Sequence, residues 1–531
     1  MSQVQTKTTI LGFQGGFATD LAPQTRDLSF LVKAENLIYN VSGAVKKVGG
    51  TTKINATVLS GAPTVMGMFD FWFSGTGGTS TQLLVVVTSD SKIYSVDSTG
   101  VATNRTGAAA YTANTMPVFA QARDRLTIWS TAGDAPLSYN QTGNVSTLSV
   151  SAPSAKTAVF HINRLWAANT NAFPSRLFYS SSTDVTDFSG ADTGTIDIDP
   201  EDGDRIIGLA SFQQRLIIFK GPYKGSVHII EGSAPTGSDA FTRVPSIRGL
   251  ALQSPNAIVS VADDLWFMSS SGIHSFETTQ RFGNFKEATL TRFLYSFFRN
   301  DINKNRMDKV WAVNYGEKGA VIFTMSAIGT TANALAFGLS YVRLPEGETE
   351  KPFTWNRSCE SACIRINPTT GIRELVFGDN AGFLMRQDTS SLSLSGGTAY
   401  TFRILTPSLV LGAEDRPGLV RADQPVVLKR MYLRSRPTGN YDITVAVTRD
   451  NNPSESYTFN QGTAGFLLDI DSLDTGILAG GNLQVSAKDL VGVCRSCSLD
   501  ITQAGANQDA DLYEIGIDWE PVSLTNQASG L

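Results

Sequence analysis

Charge is scarce in this sequence. Lys, Arg, Asp and Glu make up 17% of 531 residues, against roughly a quarter in ordinary globular chains, which argues against a fold of charged amphipathic helices and for turn-rich β structure. The net charge of −5 leaves no basic footprint with which to grip a phosphate backbone. Histidine occurs three times, as His161, His228 and His274, each inside an apolar strand pattern that suits a packed structural imidazole. Four cysteines cannot build a disulfide framework, and their scarcity fits folding in a reducing cytoplasm. Apolar runs such as Leu83 to Val87 are far too short to span a bilayer, and the first ten residues lack the apolar stretch of a signal peptide. A soluble chain with no membrane insertion is expected. No Gly-x-Ser-x-Gly elbow and no Gly-Lys-Ser/Thr loop is present, so hydrolase and nucleotidase readings lose their best markers. The expectation is a protein that is not an enzyme, with no catalytic residues and no cofactor.

What the sequence does have is a repeated phrase. A turn-forming or charged residue precedes a Leu or Val that opens a dense aliphatic and aromatic run, at Leu83, Leu126, Leu165, Leu216, Leu265, Val310 and Leu375. The intervals are 43, 39, 51, 49, 45 and 65 residues, mostly near the roughly 40–50 of a four-stranded propeller blade. Second strands follow after a turn, at Ser91–Val96, Gly225–Ile230 and Gly272–Phe276, so each pair reads as a hairpin. One hairpin cannot bury its apolar face, whereas blades packed around an axis bury one another. The fold expected is all-β, a β-propeller of six to eight blades with an additional C-terminal sandwich-like or barrel-like domain; an irregular β-sandwich is the alternative. Residues 1–60 read as an extended arm and first strands, 61–395 as the propeller, and 398–531 as the second β-domain, with a linker at Ser391–Gly397. Within that domain, strands Val426–Ser435 and Tyr441–Asp450 flank a Pro437–Asn440 turn and predict a hairpin. A short helix is expected over Phe285–Phe298.

Few residues offer chemistry. Asp197, Asp199, Glu201 and Asp202 supply hard oxygens at close spacing, but Pro200 interrupts them and the distal Glu of a calcium loop is missing, so a solvated inter-blade loop is the preferred reading over a metal site. Cys494 and Cys497 have redox or zinc spacing, with Cys359 and Cys363 as further ligands, and structural thiols are preferred. Ser182–Phe188 matches weakly the turn of sialidase propellers, without its Gly.

The most specific passage is the first fifty residues. Gly12-Phe13-Gln14-Gly15-Gly16-Phe17, Leu21-Ala22-Pro23, Ala34-Glu35-Asn36-Leu37 and Gly43-Ala44-Val45-Lys46-Lys47-Val48-Gly49-Gly50 resemble the start of tail hub, or nozzle, proteins of short-tailed bacteriophages. In that family a Gly-Gly and a Leu-x-Pro precede an Asn and a closing Gly-basic-Gly. Residues 207–229 and 254–273 are similar in style. The resemblance implies a virion protein, made in the host bacterial cytoplasm and assembled as a homohexameric ring beneath the head-to-tail adaptor. DNA would pass through its lumen without sequence-specific binding, and tail fibres, tailspikes or a needle would attach outside. It further implies an assembly arm carrying Phe13, Gly15, Gly16, Pro23, Asn36 and Gly43, whose deletion (1–50) would abolish assembly and leave the propeller folded. Lys46, Lys47, Lys429 and Arg430 are expected to face partners and acidic residues the lumen. The rival function is a carbohydrate-binding or sialidase-like propeller for host receptor recognition.

Overall fold

The computed structural model describes the chain except residues 1–5, 14, 22–28, 41–42, 75–79, 278–288, 343–349, 412–413, 417–418, 421–424, 451, 463–482 and 523–531. It resolves into two compact units, one of 52–337 with 356–387 and one of 1–51, 338–355 and 388–531. The second β-domain therefore does not stand on the C-terminal residues alone.

The first unit is a seven-bladed β-propeller, within the range expected. Blades 1 to 4 are four-stranded antiparallel sheets over Val65–Asn104, Pro117–Thr147, Ala155–Asp197 and Arg205–Arg248. Blade 5 has, among the described residues, three strands within Ile258–Ser275, and blade 6 begins with Trp311–Tyr315, Ala320–Met325 and Leu335–Ser340. Blade 7 takes three strands from Ser361–Thr389 and its fourth from Gly50–Lys53, far away in sequence. The innermost strands touch in succession around the ring, and the last of them, Ser361–Ile366, packs against the first, Val65–Ser74.

The repeated phrase marks the second strand of a blade in six cases. Leu126, Leu165 and Leu216, for example, lie in the strands Arg125–Ser130, Arg164–Thr170 and Arg215–Gly221, and all three are fully buried. In blade 6 the phrase falls one strand early, at Val310, which explains the irregular last intervals. Burial between blades is the source of stability: Trp129 and Leu165 share a cluster joining blades 2 and 3, and Trp166 with Leu216 and Ile218 joins blades 3 and 4. At roughly 25 cal/mol per Å2, each such aromatic side chain contributes several kcal/mol. The helix between blades 5 and 6 is shorter than expected, Tyr295–Asn300, packing Phe297 and Phe298 on Phe337; residues 285–288 lie outside the described residues.

The other unit packs two sheets. One has the order Gln484–Cys494, Val426–Ser435, Asp511–Pro521, Val45–Lys47, Leu37–Tyr39, with Lys7–Gly12 also on Asp511–Pro521. The other runs Lys351–Asn356, Lys33–Glu35, Phe402–Leu405, Ser496–Gln503, Asp442–Arg449, Glu455–Asn460. The predicted hairpin at 426–450 is corrected: Val426–Ser435 pairs with Gln484–Cys494 and Asp511–Pro521, whereas Asp442–Arg449 pairs with Glu455–Asn460 and Ser496–Gln503. The turn between them is a corner from one sheet to the other. Each strand has one apolar face, and placing the strands in facing layers buries both at once. The expected linker at 391–397 is a tight turn, closed by Leu394–Thr398 pairing, with Ser393 buried.

Candidate functional site

On the propeller axis lies an open cavity of about 520 Å3 lined by the innermost strands of all seven blades. Small and aliphatic side chains make most of its wall, because neighbouring inner strands converge there. Phe119 of blade 2 lies 6.4 Å from Trp311 of blade 6 and 5.6 Å from Phe69 of blade 1. Asn256 Nδ2, before blade 5, donates to Pro117 O of blade 2 at 2.9 Å. These contacts cross the axis and close it. Gly67 allows that closure, since a Cβ there would meet Pro117 and Trp311 at 2.2 and 2.8 Å.

Two charged residues, Asp70 and Arg373, are among those lining the cavity. Asp70 accepts from Gln82 Nε2 at 2.7 Å, Trp72 Nε1 at 2.9 Å and Ile366 N at 3.1 Å. Burial pushes its carboxyl above the usual range in spite of those bonds. Glycoside hydrolysis commonly uses two carboxylates flanking the bond, and the described lining residues bring one. No described Tyr or Glu lines the cavity beside Arg373.

The acidic loop after blade 3 is organised by cations of the chain itself. Lys220, with a fully buried side chain, points its Nζ at Ile198 O, Asp199 O and Asp202 Oδ1, each at 2.8 Å. Asp199 accepts from Arg243 at 2.7 Å, and Asp197 is held by Arg176 at 2.7 and 2.9 Å. Their arginine partners hold both carboxyls below the usual range. Glu201 is exposed. An ammonium therefore occupies the position among oxygens that the sequence suggested for a metal, and no group of three or more metal-binding side chains occurs among the described residues. Asp204, which the sequence reading did not single out, is buried and accepts from the backbone of Tyr223, Lys224 and Gly225.

Each histidine is paired with a hydroxyl: His161 with Ser211 at 2.8 Å, His228 with Ser226 at 2.8 Å, and His274 with Ser269 at 2.7 Å. Burial pulls all three down to about 4. Arg243 donates to His228 Nδ1, which fixes that ring as the Nε2–H tautomer. The weak sialidase-like turn is a loop between the third and fourth strands of blade 3, tied by Asp184 to Thr186 and by Asp187 to Ser189 and Gly190. All four cysteines are free and buried; burial raises Cys359 and Cys363, while the free thiols of Cys494 and Cys497 share a hydrogen bond.

The proposed arm is folded into its own unit. Phe13 is completely buried, Gly15 N donates to Ser29 O, and Gly16 at φ +74° sits where a Cβ would meet Pro352 at 2.8 Å. Asn36, at φ +55° and 3% exposed, donates to Thr401 O at 2.7 Å. Gly43, at φ +78°, closes a turn on Asn40, and Pro23 lies outside the described residues. Lys47 corrects the expectation that it faces a partner: it is 1% exposed, with Nζ donating to Gln503 at 2.6 Å and to Gly505 O at 3.2 Å. Lys46, Lys429 and Arg430 are about half exposed, at 48%, 46% and 57%, and paired with Asp509, Glu520 and Asp489.

No helix among the described residues is long and apolar enough to cross a membrane. No protein family and no curated protein matches the chain. Among solved structures, it is similar to an exo-β-1,3-galactanase of Phanerochaete chrysosporium, determined with β-1,3-galactotriose, at 10% identity and a TM-score of 0.27 over 89% of this chain and 99% of that one. The expectation that the chain is not an enzyme is corrected on this finding, since the similar protein is a glycoside hydrolase, and the exclusion is withdrawn.

Proposed function

We propose that the chain is a structural subunit of a short-tailed phage tail, a nozzle component whose copies assemble into a ring. The observation that carries this reading is the placement of the residues that bear the resemblance. Gly16, Asn36 and Gly43 all adopt positive φ, and Phe13 and Asn36 are buried in the unit that the two chain ends build together. The motif thus coincides with conformational requirements of the fold, as expected for a shared architecture. On this reading DNA passes through an opening among copies and not along the propeller axis, which Phe119, Trp311 and Asn256 close. An adaptor and fibres or spikes would be its other partners, in the virion. Negative-stain imaging of the purified full chain tests the reading: rotationally symmetric rings are expected, and a monomer at all concentrations overturns it.

A second reading is carbohydrate recognition in the axial cavity. Phe119 and Trp311 offer ring faces, Asp70 an acceptor and Arg373 a donor within about 520 Å3. Calorimetric titration with β-1,3-galacto-oligosaccharides and sialyllactose tests it: saturable binding abolished by Asp70→Ala supports this reading, and no heat with either sugar removes it.

A further inference from the structure

The sheet of the second unit ends in an unusual edge. Gln484–Cys494 is eleven residues long and pairs, among the described residues, with Val426–Ser435 alone. Edge strands of soluble domains are kept short, charged or covered, because their free N–H and C=O groups recruit other strands. This one is long and carries valines outward: Val485, Val491 and Val493 are 51%, 82% and 58% exposed, while Leu490 and Cys494 of the alternate face are buried. On the opposite margin, Lys7–Gly12 pairs, among the described residues, with Asp511–Pro521 alone, and it exposes Ile10 at 54% while burying Leu11.

We propose that the occupant of the Gln484–Cys494 edge is the Lys7–Gly12 strand of a second copy of this chain, added antiparallel, so that one sheet continues from copy to copy. The inference deepens the ring reading and rests on it. Between the two margins the sheet runs through four consecutively antiparallel strands, Lys7–Gly12, Asp511–Pro521, Val426–Ser435 and Gln484–Cys494. An even number means that the two margins run in opposite directions, so rotation without inversion brings them together as an antiparallel pair. The joint is heterologous and propagates into a ring when the rotation closes. The faces also match. The register that sets Leu11 against Leu490 on the buried face sets Ile10 against Val491 on the exposed one, covering two of the apolar side chains that these margins expose. Arg449 Nη1 donates to Val491 O at 2.5 Å, which suits Ile10 and Val491 as a non-hydrogen-bonded pair, the closer-packed kind. Self-pairing of the Gln484–Cys494 edge fits less well. Full-length antiparallel pairing of two such strands centres on Asp489 and places it against its own copy, and like charges directly opposite destabilise a sheet. The Lys7–Gly12 strand brings Thr8, Ile10 and Gly12 to that face and no carboxylate.

The test uses the full chain. Ile10→Cys and Val491→Cys are introduced together and treated with a short bismaleimide, the four native thiols being buried; mass photometry is run in parallel on the wild type and on Val491→Lys. A ladder of cross-linked multimers, with assembly of Val491→Lys weakened roughly tenfold or more, is the expected result. Cross-linked dimers from Val491→Cys alone overturn the proposal in favour of strand self-pairing. Wild-type rings with no cross-link and undiminished Val491→Lys assembly overturn the joint and leave the ring reading standing. A wild type that stays monomeric overturns the ring reading itself.

Discussion

The propeller and the two-sheet unit solve the problem of burying β-structure in opposite ways. In the propeller, strands that pair are neighbours in sequence, as in Val65–Ser74 with Ser80–Thr88, and among the described strands only Gly50–Lys53 arrives from a distance. In the other unit many pairs are remote, as in Lys7 with Trp519, Val45 with Leu512 and Thr354 with Glu35. The lesson concerns what each can lose. A blade is a local hairpin stack whose apolar faces are covered by adjacent blades, whereas each of the two large sheets of the second unit takes strands from both the first fifty and the last hundred or so residues.

The sharpest way to break this contrast is truncation. Removing residues 1–48 takes strands from both sheets of the second unit but leaves Gly50–Lys53 for blade 7. One of two calorimetric transitions is expected to vanish, with the other kept within a few degrees; a single unchanged transition would falsify the division. A cut at residue 50 is not equivalent, because it removes part of that blade-closing strand.

Two buried lysines give the next comparison. Lys220→Met in the propeller leaves Asp202 and two carbonyls without their ammonium, and a loss of about 3–5 kcal/mol is expected for breaking such a pair. Lys47→Met removes the donor to the neutral acceptors Gln503 and Gly505 O, with an expected loss of about 1–3 kcal/mol. Urea titration should place each loss in a different transition, and equal shifts in both would contradict the assignment.

Acid sharpens the contrast further. All three histidines belong to the propeller unit, and each sits at about 4 in the folded chain because burial penalises the imidazolium, against roughly 6.5 when unfolded. The unfolded chain thus binds more protons between these values. The stability that the histidines contribute is complete above pH 6.5 and is lost as the pH falls toward 4, at most about 2 kcal/mol each once solvent screening is allowed for. The propeller transition should fall more steeply than the other between pH 6.5 and 4.5, and parallel slopes would count against neutral buried imidazoles. The smallest effect is expected on the surface of the second unit, where Arg430→Ala, breaking the exposed pair with Asp489, should cost no more than about 0.5 kcal/mol in the same titration.

The contrast also explains what could be read in advance. Local pairing puts a blade's strands side by side in sequence, so the phrases at Leu126, Leu165 and Leu216 were visible without coordinates, and so was a count near seven. The corner at 437–440 was not, because an alternating strand announces that it has one apolar face and says nothing about which partner will cover it. The acidic residues at 197–202 look like ligands until Lys220, Arg243 and Arg176 are seen beside them, and those cations come from other strands. Asp204 carried no signal at all beyond membership of that run. Lys47 likewise reads as a surface charge until Gln503 is found at its Nζ.

By itself the amino-acid order determined the β-class, the blade repeat and the backbone positions that need Gly16 and Gly43, because period-two burial and left-handed φ are local properties. Only the tertiary structure decided that the axis is closed by Phe119 and Trp311, that chain-borne cations fill the acidic loop, and that two strands far apart in sequence form the margins of one sheet among the described residues. Those outcomes depend on which distant groups meet, and a contact between remote residues is set by the packing of the whole sheet and not by either residue's neighbours.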